Sequence, residues 1–266
     1  MVFHSVFENS YLWLPIVGFV IGLFGSVIGG GGGFFFLPVL ILGFNVPAQV
    51  AVSTSLAATL PICIGGAWEH YRKRNIDLPT GFVFAIAGIF GALLGARFTG
   101  VLNTNQLKIA FGIYSILLAL VMLFNNWRKN RADARGIKIK KDSTTRKNTK
   151  RSFYGFLAGI ITGTFGTSGT APVLAGLFSV KLPVKMIAGT SLLIVFVNTV
   201  SALGAHFMIG RIDFTLVYFL TVGSIVGSVT GPRLIPGARV ERAEKPVRLW
   251  FALIMIAFGL LMILTR

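Results

Sequence analysis

From Asn9 to Trp68 the chain carries no formal charge, and five consecutive glycines, Gly29 to Gly33, stand within that stretch. A soluble domain of ordinary composition is about 25% charged; this chain is 12% charged and 54% hydrophobic. Uncharged apolar stretches recur at 79 to 96, 109 to 127, 152 to 180, 186 to 210, 214 to 232 and 249 to 265. Several reach the roughly 20 residues that a helix needs to span a bilayer. Glycine costs about 1 kcal/mol relative to alanine inside a helix, so the chain must turn or unwind at the glycine run. Met1 to Ser10 holds no Lys or Arg, which argues against a cleaved signal peptide and keeps the first apolar segment in the mature protein.

The chain also repeats itself. Residues 18 to 124 resemble residues 155 to 264 at a nearly constant offset of 136. Gly18 and Gly22 correspond to Gly155 and Gly159, Pro38 to Pro172, Pro47 to Pro183, and Thr54, Ser55, Leu56 to Thr190, Ser191, Leu192. The register continues through His70 and His206, Asp77 and Asp213, and Gly91, Gly95, Arg97 against Gly227, Gly231, Arg233. Each half reads as one broken apolar region (12 to 44; 153 to 180) followed by three apolar segments. The first break is the glycine run; the second reads TGTFGTSGTAP from Thr162. Residues 12 to 44 as helix extend about 50 Å, whereas two crossings of the hydrocarbon core need about 60 Å. A re-entrant hairpin fits better.

The expected fold is therefore an all-α polytopic membrane protein of two inverted-topology repeats, each a re-entrant broken helix hairpin plus three transmembrane helices. The boundaries are 12–125 for the first repeat, 126–152 for a basic cytoplasmic linker and 153–264 for the second repeat. Charge supports the inversion: it collects 21 of the 25 basic residues on one side, eleven of them between Asn125 and Ser152, and leaves Arg97, Lys108, Arg211 and Arg266 opposite. By the positive-inside rule the rich side is cytoplasmic and both termini are extracytoplasmic, which suits a multi-pass protein of the cell (inner) membrane. The net charge of +17 thus reflects topology. No interleaved aromatics or recognised motif points to nucleic acid, although the linker suits anionic lipid. The single cysteine, Cys63, rules out an intrachain disulfide and reads as a small core residue.

Inverted repeats with interrupted helices are the pattern of secondary transporters, with substrate near the midplane between repeats. Broken backbone is tolerated at that depth only where it is buried in protein or lines a cavity. Free amides and the positive ends of short helices starting near Phe34 and Ala171 would favour an anion. Candidate substrate-binding residues are Gly29, Gly30, Gly31, Gly32 and Gly33 in the first break, and Thr164, Gly166, Thr167, Ser168, Gly169 and Thr170 in the second. To these are added the hydroxyls of Ser53, Thr54, Ser55, Thr190 and Ser191, for which bonding to their own helix backbone is an equal reading. For the pairs Gly18/Gly22, Gly91/Gly95, Gly155/Gly159 and Gly227/Gly231, close helix packing is the expectation. Arg97 and Arg233 read first as snorkelling cations, and second as the lining of an anion vestibule. Asp77 and Asp213 read as helix N-caps. No catalytic motif, metal cluster or P-loop appears, so the expectation is a non-enzyme without cofactor or metal.

GLFGSVIGGGGGFFFLPVL followed by NVPAQVAVSTSL, repeated as GIITGTFGTSGTAPVL followed by LPVKMIAGTSL, resembles the TauE/SafE family of sulfite exporters and related transporters. The resemblance covers almost the whole chain outside 125 to 152. It implies two oppositely oriented modules that handle sulfite, sulfonates or other small organic anions without an ATPase domain. The second half lacks the glycine run, so the halves are expected to contribute unequally. The resulting expectation is a secondary transporter, in the export direction, for a small anion, working by alternating access. An anion channel and a non-transporting membrane scaffold or assembly protein are the alternatives. The partners expected are the anion and the bilayer, with a homo-oligomer left open.

Overall fold

The computed structural model describes residues 2–28, 30–134, 144–180, 182–209, 212–234 and 237–265, and these are almost entirely helical. A 3-10 turn (Asn9–Trp13) leads into α1 (Leu14–Ile28), and the first break separates α1 from α2 (Gly33–Pro38), which continues as a π-helical turn to Gly43. Three long helices follow, α3 (Ala48–Arg72), α4 (Leu78–Val101) and α5 (Thr104–Ala134). The second half runs α6 (Thr144–Phe165), a break, α7 (Thr170–Ser179), α8 (Val184–Ile209), α9 (Phe214–Leu234) and α10 (Gly237–Leu264). A short β1 (Val2–Phe3) pairs in parallel with β2 (Ile212–Asp213) and ties the N-terminal segment to the start of α9.

Among the described residues six segments are long and apolar enough to cross a membrane: Asn9–Val27, Ala48–Arg72, Leu78–Val101, Thr104–Phe124, Lys185–Met208 and Phe214–Gly231. The arm before the first break is itself long enough to cross. The helices α5 and α6 extend into the hydrophilic linker from both sides, and 135–143 fall outside the described residues.

Local chemistry accounts for the helix ends. Arg74 adopts a left-handed φ of 54°, and the Asn75 amide returns to the His70 carbonyl at 2.9 Å, closing α3. Pro79 occupies the first turn of α4, where its missing N–H leaves nothing unpaired. The Asp213 carboxylate accepts the amides of Thr215 (3.0 Å) and Leu216 (3.4 Å), capping α9 as expected. Asp77 holds the equivalent position at α4, but its side chain makes no capping bond. Pro38 and Pro172, matched in sequence, occupy different turns. Pro172 lies in the first turn of α7, whereas Pro38 ends α2 and is followed by the π-helical turn, a distortion consistent with the donor that proline removes.

The two halves interlock. α1 lies along α9 and α6 along α4; α3 packs on α8 and α9, α8 also on α4, and α5 on α10. Glycines set the closeness. Gly18 and Gly22 meet the α9 backbone at Leu220 and Ser224, and Gly223 and Gly227 meet the α1 backbone at Pro15 and Phe19. The other seam matches it: Gly91 and Gly95 face the carbonyls of Phe156 and Ile160, and Gly155, Gly159 and Gly163 face those of Phe84, Gly88 and Ala92. Along both seams residue numbers rise together, so each pair is parallel. One apolar core, containing Leu14, Phe36, Leu56, Phe111, Phe165, Leu220 and Met255, draws on both halves.

A side chain at these glycines would drive the helices apart. Gly159→Leu and Gly227→Leu are each expected to lower stability by about 1–3 kcal/mol, measured by thermal and denaturant unfolding in detergent. Gly204→Leu, at a position with nothing within 4 Å of the added carbon, should leave the unfolding curve unchanged.

Candidate functional site

The first break is made by glycines in a conformation that other residues rarely adopt. Gly31 and Gly32 have φ of 62° and 74°, and Gly32 stands just before the first turn of α2. The amides of Gly30 and Gly31 turn back to the Gly25 carbonyl at 2.7 and 3.2 Å, closing α1. The space is also full. A methyl group on Gly31 would lie 2.9 Å from Cys63 Sγ, 3.1 Å from Val195 and 3.2 Å from Thr59; one on Gly33 would lie 2.8 Å from Thr59 Oγ1 and 2.9 Å from the Ser168 nitrogen. Gly29 lies outside the described residues.

The second break uses Gly166 and Gly169, with φ of 64° and 54°. The last carbonyls of α6, which have no partner in their own helix, are taken by side chains. Thr99 Oγ1 lies 3.1 Å from the Gly163 oxygen and 2.7 Å from that of Thr164, and His206 Nε2 lies 2.7 Å from the Gly163 oxygen. Thr164 donates to the Gly95 carbonyl at 3.3 Å. Ser168 and Thr170 hydroxyls are 2.7 Å apart. Among the described residues no carbonyl takes the amide hydrogens of Thr167, Ser168 or Gly169. The Thr167 hydroxyl is buried without a partner.

The two breaks touch. Thr170 donates to the Gly30 carbonyl at 2.8 Å, and the Ser55 hydroxyl lies 2.9 Å from the Gly166 oxygen and 3.2 Å from that of Gly33. One hydroxyl on α3 thus bridges both interruptions, and the amino ends of α2 and α7 open onto the same region.

The remaining candidates divide. Thr54 and Thr190 bond neither to their own helices nor to the breaks. The Thr190 hydroxyl accepts the Asp77 amide at 2.8 Å, and the Thr54 hydroxyl accepts the Asp213 amide at 3.3 Å, so each tethers a loop of the opposite half. Ser53 donates to the Gln49 carbonyl of its own helix at 3.2 Å, and Ser191 is fully buried on α8. Arg97 is exposed. Arg233 is also exposed and pairs with Glu69 at 3.4 Å, and Glu69 pairs in turn with Lys73 at 3.2 Å. The Arg233 guanidinium thus joins α9 to the end of α3. Thr59 and Thr99, which touch the breaks, were not singled out from the sequence because a lone threonine in an apolar helix gives no signal.

Six candidate membrane spans among the described residues, together with two touching helix breaks, define a multi-pass membrane protein. The chain belongs to the family described as Sulfite exporter TauE/SafE, whose model matches residues 14–264. It is similar to "Probable membrane transporter protein YdhB" of Bacillus subtilis, 28% identical over 82% of this chain and 87% of that protein. A "Probable membrane transporter protein" of Xylella fastidiosa is 27% identical over 93% of this chain and 91% of its own length. "Probable membrane transporter protein MJ0441" of Methanocaldococcus jannaschii is 26% identical over 94% of each. No solved structure matches the chain.

Ser55→Ala would leave two buried carbonyls short of their shared donor. It is expected to destabilise the protein by about 1–3 kcal/mol, read from denaturant unfolding, whereas Ser53→Ala should cost less because Ser53 bonds only within its own helix.

Proposed function

We propose that this transporter exports a small oxyanion, such as sulfite, a sulfonate or a small organic acid, by alternating access around its paired breaks. The observation that carries the reading is the junction of the two breaks. There the amino ends of α2 and α7, the unpaired amides of Thr167 to Gly169 and the free Thr167 hydroxyl occur together, and among the described residues no Lys or Arg side chain bonds to them. Oriented dipoles of this kind stabilise an anion without the cost of holding a permanent charge in hydrocarbon. The glycines of both breaks, together with Ser55 and the second-break hydroxyls, form the proposed contact surface. Export as the direction draws on the family description alone.

The motion we propose is that of two inverted halves, 12–125 and 153–264. Helix directions support it. α3 runs parallel to α9, from Thr54 beside Asp213 to Glu69 beside Arg233, whereas α3 turns back directly into α4. By that reckoning α4 and α9, equivalent in the repeat, point in opposite directions. α5 and α10 are antiparallel, with Gly112 beside Gly259 and Lys108 beside Thr265. With the basic linker on the cytoplasmic face of the inner membrane, both termini are extracytoplasmic. The working partners are the anion and the lipid bilayer.

Two measurements test this. In proteoliposomes, saturable flux and counterflow of sulfite, sulfoacetate or acetate are expected; non-saturating flux would favour a channel, and none at all a scaffold. Thr167→Val, which removes a buried hydroxyl that has no partner among the described residues, should reduce flux in protein whose unfolding curve is unchanged or shifted upward, whereas a packing-only role predicts unaltered flux. In a Cys63→Ser background, an impermeant maleimide added to intact cells should label Val6→Cys and not Ser143→Cys. The reverse pattern would refute the proposed orientation.

A further inference from the structure

Halfway along α8, inside a candidate membrane span, lies a side chain that the architecture does not explain. Asn198 is completely buried, and neither its carboxamide oxygen nor its nitrogen has a hydrogen-bond partner among the described residues. Its neighbour Thr199 is also completely buried, with a hydroxyl likewise unpartnered. The carboxamide lies against α4 at Gly88, its oxygen nearest, so that an added methyl group there would overlap Asn198 Oδ1 and come 2.9 Å from Nδ2. Unpaired buried polar atoms are uncommon in folded proteins because they lose their bonds to water and receive nothing in return. Inside a membrane a polar group of this kind is a functional candidate by default.

Its position along α8 relates it to the breaks. Val195, one turn earlier, lies against Gly31 of the first break, and His206, two turns later, holds the Gly163 carbonyl just before the second. Asn198 and Thr199 therefore occupy the stretch of α8 between its two contacts with the interrupted backbone. The Thr167 hydroxyl, also buried and unpartnered, belongs to the second break itself.

The internal repeat shows that this position does not require polarity. At the offset of 136 the counterparts of Asn198 and Thr199 are Ile62 and Cys63. Both are completely buried, and they wall the first break: Cys63 Sγ faces Gly31 and Ile62 faces Gly32. In one half the scaffold is satisfied by apolar volume at these two positions. In the other it places a donor, an acceptor and a hydroxyl there and pairs none of them.

We propose that Asn198, assisted by Thr199, is the residue pair that selects the transported anion, and that it favours a singly charged oxyanion retaining one O–H. The inference rests on the anion-transport reading above. The carboxamide offers an N–H to an anionic oxygen and a carbonyl to a protonated one, so it matches a ligand that carries both. A dianion without O–H leaves the carbonyl unpaired and brings a second charge to a junction whose bonds, among the described residues, include none from Lys or Arg.

The test uses the full-length protein in vesicles of phosphatidylethanolamine and phosphatidylglycerol, with sulfite, which exchanges between singly and doubly charged forms near neutral pH, and with sulfate, which stays doubly charged. The wild type should transport sulfite with a KM that follows the singly charged form across pH, and should transport sulfate poorly. Asn198→Ile, which copies the first half, should raise the sulfite KM at least about tenfold, the loss of one hydrogen bond to a charged ligand, with an unchanged or higher melting temperature. If Asn198→Ile fails to fold, Asn198→Leu, similar in volume and without hydrogen-bonding atoms, provides the reading: it should raise the sulfite KM as strongly. Sulfite transport with the KM unaltered in the folded variant would overturn the assignment and leave the anion reading intact. Absence of transport of any tested anion by the wild type would overturn both.

Discussion

The structure depends on one constraint: interrupted backbone placed inside hydrocarbon must find hydrogen-bond partners within the protein. A helix that stops in the membrane exposes carbonyls at one end and amides at the other, and no water is present to take them. Here the carbonyl ends are closed by neighbouring side chains. Thr99 and His206 hold the end of α6, and the amides of Gly30 and Gly31 fold back on Gly25 at the end of α1. The breaks are then joined to each other through Ser55 and Thr170. Neither interruption is satisfied by its own half alone.

That dependence explains the interlocked packing. Each broken helix is flanked by a long helix of the other half, and the glycine seams between α1 and α9 and between α4 and α6 bring backbones into direct contact. The tethers are reciprocal as well: Thr54 holds the Asp213 loop and Thr190 holds the Asp77 loop. Small residues at these seams give close van der Waals packing where lipid supplies no hydrophobic drive for association.

The reciprocity is incomplete, and the departures are informative. Asp213 caps its helix with its side chain and Asp77 does not. Arg233 pairs with Glu69, whereas the residue equivalent to Glu69 in the second half is Ala205, which offers Arg97 no carboxylate. The first break is walled by Ile62 and Cys63, and their counterparts in the second half are Asn198 and Thr199. Symmetry carries the scaffold, and these differences show where the two halves carry separate tasks.

The amino-acid sequence alone determined the membrane class, the internal repeat, the position of both breaks to within one residue of each short helix, and the packing role of the GxxxG pairs. These features depend on local hydropathy and on periodicity, which are properties of neighbouring residues. Only the tertiary structure decided which hydroxyls serve the breaks. Thr54 and Ser55 are adjacent, yet one tethers a distant loop and the other bridges both interruptions, because successive residues of a helix point about 100° apart and meet different neighbours. The same reason hid Thr59, Thr99 and Asn198 among apolar residues. A polar side chain becomes informative when it is known what surrounds it, and those surroundings come from helices far apart in the chain.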